Sequence, residues 1–221
     1  MTVEAPWASD LVEITLLSLA VSGAATAISL LIGLPIGTWL ALSYFRSRRL
    51  VLSAVNTGMA LPPVVVGLFV ALLLWRSGVL GGLGLMYTPG AMVIAEVVIA
   101  TPVVIGLTVA GLGQLDPRLE TQLQGLGASR VQTVWWMWRE ARLPLLAAVM
   151  AAFGSVISEV GAAMMVGGNI AGQTRVLTTA IVLETGRGEF GTAIVLGLVL
   201  LALAFMINGV LTWAQQRGPR R

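Results

Sequence analysis

Residues 14–45 read ITLLSLAVSGAATAISLLIGLPIGTWLALSYF, 32 residues without a charge. A helix rising 1.5 Å per residue over that length reaches roughly 48 Å, well beyond the ~30 Å hydrocarbon core of a bilayer. Pro35, flanked by Gly33 and Gly37, marks a kink or the end of the membrane-embedded part. No polar turn divides the run, so the reading is one long, tilted helix.

Working outward, the same pattern recurs. Apolar runs cover residues 50–75, interrupted by Leu61-Pro62-Pro63; 89–115, with Glu96 and Pro102; 143–166, with Glu159; and 190–216. Each is long enough to cross a bilayer. With the first helix taken as 11–45, the expectation is an all-α polytopic membrane helix bundle of about five transmembrane helices, forming a single domain over 1–221. Composition agrees: 57% of residues are hydrophobic and 10% charged, where a soluble domain carries about 25% charged residues. Prolines inside such helices fit a packed bundle whose neighbours resatisfy the freed carbonyls.

The absences narrow the chemistry. There is no Cys, no His and no Lys; the 13 basic residues are all Arg. Transition-metal sites lose their usual ligands, and Ser-His, Cys-His and Ser-Lys catalytic pairs are excluded. The phosphate-cradling loop G-x-x-x-x-G-K-[ST] needs a lysine. The chain therefore holds no such ATP site, and the reading is of a non-enzyme that binds no cofactor or metal. The arginines are scattered over several loops and form no continuous basic face, which argues against nucleic acid.

Those arginines set an orientation. Arg46, Arg48, Arg49, Arg118, Arg130, Arg139, Arg142, Arg217, Arg220 and Arg221 fall on one side of a five-span arrangement, and Arg76, Arg175 and Arg187 on the other. Ten against three places the first group in the cytoplasm, with the N-terminus outside and the C-terminus inside. The acidic start MTVEAPWASD lacks the basic region of a secretory signal. Between the last two runs, the apolar stretch Val176–Leu183 is expected to re-enter the bilayer or lie on it.

The longest polar stretch is cytoplasmic: residues 116–144 read DPRLETQLQGLGASRVQTVWWMWREARLP. Asp116-Pro117 is a helix start. Leu119, Leu123 and Leu126 recur at helical spacing, Gly125 and Gly127 interrupt the helix, and a second helix is expected over Ser129–Arg142. Its Trp135, Trp136 and Trp138 suit a membrane–water interface. Helix, glycine break, helix is the shape of a docking element, or of an ordinary surface loop with an interfacial helix.

This segment resembles the cytoplasmic loop of ATP-binding-cassette importer permeases, in the glycine of Leu126-Gly127-Ala128-Ser129 and the closing Leu143-Pro144. The acidic-alanine part of that loop's pattern is replaced here by Thr121-Gln122-Leu123, with Glu120 one residue early. The distance from Gly127 to Pro144 is about one helical turn longer than usual. The runs TLLSLAVSGAATAISLLIGLPIGTWLA, LPPVVVGLFVALLL and AEVVIATPVVIGLTVAGLGQLDPRLE are similar to core helices of the tungstate, molybdate and sulfate permeases. SEVGAAMMVGGNIAGQTRVLTTAIVLETGRGEF resembles the tungstate type in particular.

The resemblance implies a type I importer permease (MetI-like) fold in a bacterial or archaeal cytoplasmic membrane. Two copies of the chain would enclose a path. Two ATPase subunits, which carry the ATP and Mg, would dock inside, and an external oxyanion-binding protein would deliver the anion. It also implies that Leu119–Arg130 is the coupling element, touching the ATPase through Glu120, Gln124, Gly127, Ala128, Ser129 and Arg130. Molybdate or sulfate is the alternative cargo. A self-contained channel, secondary carrier or structural protein is the alternative class, against which the docking segment stands.

Polar groups inside the apolar runs are the remaining candidates. An intramembrane carboxylate is costly and faces a partner or a wet cavity. Glu159 is read either as a path-lining or gating residue or as a hydrogen-bonded tie between helices. Glu96, nearer the outer end of its helix, reads as structural. Gly161, Gly167 and Gly168 around Met164-Met165 permit close helix approach, as core packing or as a gate. Asn169, Thr174 and Arg175 lie just outside, placed to receive an anion or a binding protein.

Overall fold

The structure, a computed structural model, describes residues 6–216. Arg217, Arg220 and Arg221, which entered the orientation argument, lie outside the described residues. The described chain forms ten α-helices: α1 Pro6–Leu42, α2 Arg48–Met59, α3 Pro63–Leu74, α4 Pro89–Leu112, α5 Arg118–Gly125, α6 Arg130–Glu140, α7 Arg142–Ile157, α8 Gly161–Gly167, α9 Leu177–Gly186 and α10 Phe190–Gln216. Three are long and apolar enough to cross a membrane: α1 from Asp10, α4 and α10. The count reaches five if the bent pairs α2–α3 and α6–α7 each serve as one span.

The centre of the bundle is the α1–α4 crossing. Its cause is legible in α1, where Ser18, Ser22, Ala25, Ser29, Gly33 and Gly37 fall three or four apart on the buried face. Small residues let two backbones approach closely. A methyl placed on Gly33 would lie 2.6 Å from Val104 Cγ1, and one on Gly37 2.7 Å from Thr108 Cβ. Hydroxyls add cross-links: Ser29 donates to the Val97 carbonyl at 3.4 Å and Thr101 donates to Ser29 Oγ at 3.4 Å. Pro35 is accommodated inside α1, which runs unbroken to Leu42.

Two expected spans are not straight rods. The run 50–75 turns by 99° between α2 and α3. Pro62 and Pro63 carry no N–H, and Pro62 takes an extended ψ of 123° before starting α3, which is where a proline pair stops one helix and opens the next. α2 then packs sideways onto α4, with Gly58 against Pro102 and Met59 against Gly106. The run 143–166 is broken at Ser158-Glu159-Val160 into α7 and α8. Glu159 therefore sits in a helix break and not inside one continuous span over 143–166. The helix expected over Ser129–Arg142 ends at Glu140, and the chain turns 75° into α7 at Arg142.

The apolar stretch near Val176 becomes α9, whose Leu177 and Ala180 are buried with Leu196 of α10 in one cluster. It packs into the protein and does not lie alone on the bilayer. α10 itself is the least enclosed of the long helices. Ile194, Leu198, Leu201 and Phe205 point outward, a surface for lipid or for another protein.

Candidate functional site

Two regions carry the candidate residues. The first is the knuckle formed by α5 and α6. Asp116 Oδ1 accepts the Arg118 N–H at 2.8 Å to open α5. Leu119 and Leu123 pack against the buried trio Leu112, Met137 and Ala141, anchoring α5 to the ends of α4 and α6. The chain then reverses. Gly127 has φ +84°, a left-handed value that favours glycine, and the Ala128 N–H returns to the Leu123 carbonyl at 3.0 Å. Ser129 caps α6 reciprocally: its Oγ accepts the Gln132 N–H, and its own N–H donates to Gln132 Oε1 at 2.8 Å. That is a capping box.

The six residues assigned to the knuckle divide into two sets. Gly127, Ser129 and Arg130 are exposed and Ala128 is half-buried at the turn. Glu120 and Gln124, hydrogen-bonded to each other at 3.2 Å, line a cavity of about 630 Å³ with Arg130, Thr38 and Trp138. Glu120 is half-buried toward the Thr38 end of α1, whereas Gln124 is exposed. At the tip stands Leu126, which its helical spacing had placed on one apolar face with Leu119 and Leu123. Leu126 is 85% exposed, an apolar side chain held out between two glycines in an otherwise polar segment. Trp138 Nε1 donates to Thr38 Oγ1 at 2.9 Å, tying α6 to α1.

The second region surrounds the α7–α8 break. Glu159 Oε1 accepts the Ala162 N–H at 3.0 Å, capping α8, while the Glu159 carbonyl accepts from Thr178 Oγ1 at 2.8 Å. Leu177 N–H donates to Ser18 Oγ at 2.8 Å. Ser18, Ser22, Glu96, Glu159 and Thr178 thus meet from α1, α4, the break and α9 around a void of about 10 Å³, room for about one water. Glu96 is only 3% exposed, and its Oε2 has no hydrogen-bond partner. Sequence reading treated Glu96 and Glu159 separately. Their 63-residue separation gave no sign that they share a chamber.

α8 places the other candidates. A methyl on Gly67 of α3 would lie 2.6 Å from Ala162 Cα, so α3 and α8 are in backbone contact. Gly161 is pressed against Val64 of α3 in the same way. Met164 and Met165 are exposed on the face of α8 away from the core. Asn169 adopts a left-handed φ of 54°, and its Oδ1 accepts from Arg175 Nε at 3.3 Å. Thr174 is the hub of this loop: its buried hydroxyl donates to the Gly167 carbonyl at 2.6 Å and accepts the Ile170 N–H at 3.0 Å. The structure therefore gathers Glu159 with Glu96, sets Gly161, Met164 and Met165 on α8, and keeps Asn169 with Arg175 in the following loop. Among the described residues, no three acidic groups come together to hold a metal.

Removing the Glu159 side chain tests its capping role. Glu159→Ala leaves the Ala162 N–H without its acceptor and is expected to lower stability by about 1 kcal/mol, the usual value of a lost N-cap. Glu159→Gln keeps an acceptor oxygen and is expected to stay near the parent. Thermal unfolding in detergent separates the two. Equal loss in both variants would mean that the charge matters and the cap does not.

Residues 33–217 match the family described as the inner membrane component of binding-protein-dependent transport systems. The chain belongs to this family. It is 41% identical over 203 residues to the tungstate uptake system permease protein TupB of Peptoclostridium acidaminophilum, covering 92% of this chain and 89% of that one. It is 28% identical over 211 residues to the molybdenum transport system permease protein ModB of Escherichia coli K12, covering 91% and 92%. In fold it matches a chain of the MetNI methionine ABC transporter, with a TM-score of 0.79 at 20% identity over the full length of both. The chain is thus an importer permease of MetI-like fold, a multi-pass inner membrane protein that works with a substrate-binding protein and an ATPase.

Proposed function

We propose that this chain forms the membrane path of a tungstate importer. The observation that carries the reading is the chain's far greater likeness to the tungstate permease than to the molybdenum permease, at similar coverage. The cargo is a divalent oxyanion, and two copies of the chain enclose its path. The N-terminus lies outside and the C-terminus in the cytoplasm, as the arginine distribution favours. Two ATPase subunits, holding ATP and Mg, dock on the knuckle through Gly127, Ala128, Ser129 and Arg130. Leu126 adds an apolar anchor, while Glu120 and Gln124 brace the knuckle from behind. This chain binds no cofactor of its own. The knuckle's exposed tip, its glycine-dependent turn and its hydrogen bond to α1 support that role.

The α7–α8 break supports a gating role for Glu159, Gly161, Met164, Met165 and Asn169. The break at Ser158-Glu159-Val160 leaves α8 a separate short helix, packed through Ala162, Ala163 and Val166 into the core shared with α1, α3 and α4. No arginine lies within α1, α4 or α10, so tight anion capture falls to the external binding protein.

The test is uptake of radiolabelled tungstate by proteoliposomes containing the chain, its ATPase and its binding protein. ATP-dependent accumulation that a tenfold excess of molybdate barely reduces is expected. Molybdate transported in preference to tungstate would overturn the cargo assignment. Uptake by the chain without its ATPase would replace the importer with a channel or secondary carrier.

A further inference from the structure

The 75° elbow between α6 and α7 leaves a groove of about 430 Å³ on the cytoplasmic side, distinct from the cavity behind the knuckle. Its floor is aliphatic: Leu34 of α1 and Leu145, Leu146 and Val149 of α7. Trp135 and Trp138 wall it. Trp138 is fixed by its bond to Thr38, whereas Trp135 is 63% exposed. Arg139 and Arg142 line the groove as well, and among the described residues no carboxylate does. Arg139 lies over the Trp136 ring at 5.1 Å, a cation–π contact that holds the charge at the depth where indoles sit in a bilayer.

The charge is confined to one end and hydrocarbon covers the rest, which is the polarity of an amphiphile. A small free anion would gain nothing from Leu145, Leu146 and Val149. A zwitterionic lipid would place its own cation beside two arginines. We infer that this groove is a binding site for one anionic phospholipid, its phosphate on Arg139 and Arg142 and an acyl chain along α7. A lipid so placed braces the elbow through which α6 joins the membrane bundle. The inference concerns this chain alone and holds whatever its cargo.

The purified full chain in phosphatidylcholine nanodiscs, doped with phosphatidylglycerol or phosphatidylcholine carrying brominated acyl chains, provides the test. Bromine quenches nearby indoles, and the difference between the parent and a W135F/W138F variant isolates the groove. Half-maximal quenching at a roughly tenfold lower mole fraction of the phosphatidylglycerol is expected, given two basic groups at the surface. R139Q/R142Q is expected to abolish that preference and R139K/R142K to retain most of it, which separates charge loss from misfolding. Equal quenching by both lipids, no quenching of the groove indoles by either (a protein surface covering them), or reversal by millimolar inorganic phosphate would each overturn the assignment.

Discussion

Gly127→Val is expected to abolish tungstate uptake and reduce co-purification of the ATPase more than tenfold, with yield and unfolding temperature of the membrane chain nearly unchanged. The reason is confined to one backbone angle. At φ +84°, an L-residue costs about 1–2 kcal/mol and a β-branched one more. The turn relieves that strain by rotating into the ordinary region. A Cβ at this position would meet nothing within 4 Å, so no clash spreads into the bundle. What moves is the tip: Leu126 leaves its presented position, and the Ala128 N–H loses the Leu123 carbonyl. Gly125 is the control, since a methyl there also meets nothing and its φ is not positive. Gly125→Ala should keep ATPase association. A Gly127→Val chain that still retains its ATPase would remove the knuckle from the docking surface.

Why the knuckle was legible in the sequence, and the α7–α8 break was not, follows from the range of the interactions involved. Asp116, Gly127, Ser129 and Gln132 act on neighbours two to five residues away, so capping and turn chemistry could be read directly from the string. The turn's outward leucine was also visible, though periodicity alone assigned it to an apolar face. Long apolar runs likewise announced α1, α4 and α10. The run containing Glu159 was different, because apolar composition says that a segment enters lipid and not that it is continuous there. The α7–α8 break is held from outside, by Thr178 on the Glu159 carbonyl, and by a carboxylate that caps a helix within what hydropathy reads as one span. The same limitation hid the chamber shared by Glu96 and Glu159, which depends on α1 and α9 packing their hydroxyls against α4. The 99° turn at Pro62-Pro63 was signalled by the prolines. Its size depended on where α4 offered a surface for α2.

Gly33→Leu combined with Gly37→Leu is expected to be the most destabilising change in the bundle. The two glycines lie one turn apart on α1, facing α4, and every atom added to them points into occupied space. Even a methyl would come within 2.6 Å of Val104 and 2.7 Å of Thr108, with the Ile105 carbonyl at 3.0 Å. Val104 and Thr108 are themselves fully buried, leaving neither side chain a free direction of retreat. Overpacking costs about 1–3 kcal/mol per site, so the pair should lose several kcal/mol and unfold on the order of 10 °C earlier. The consequences extend beyond stability. Parting α1 from α4 would withdraw Ser18 from the Leu177 N–H and pull Ser22 away from Glu96, opening the chamber beside the α7–α8 break. Gly209→Leu, on α10 with nothing within 4 Å of its added carbon, should leave the melting temperature unchanged. If the α1–α4 contact is the cause, Val104→Ala will restore part of the stability lost in Gly33→Ala, a coupling that separated positions would not show. Strict additivity of those two changes would mean that the helices part without strain, and that the small-residue stripe of α1 serves some end other than close approach.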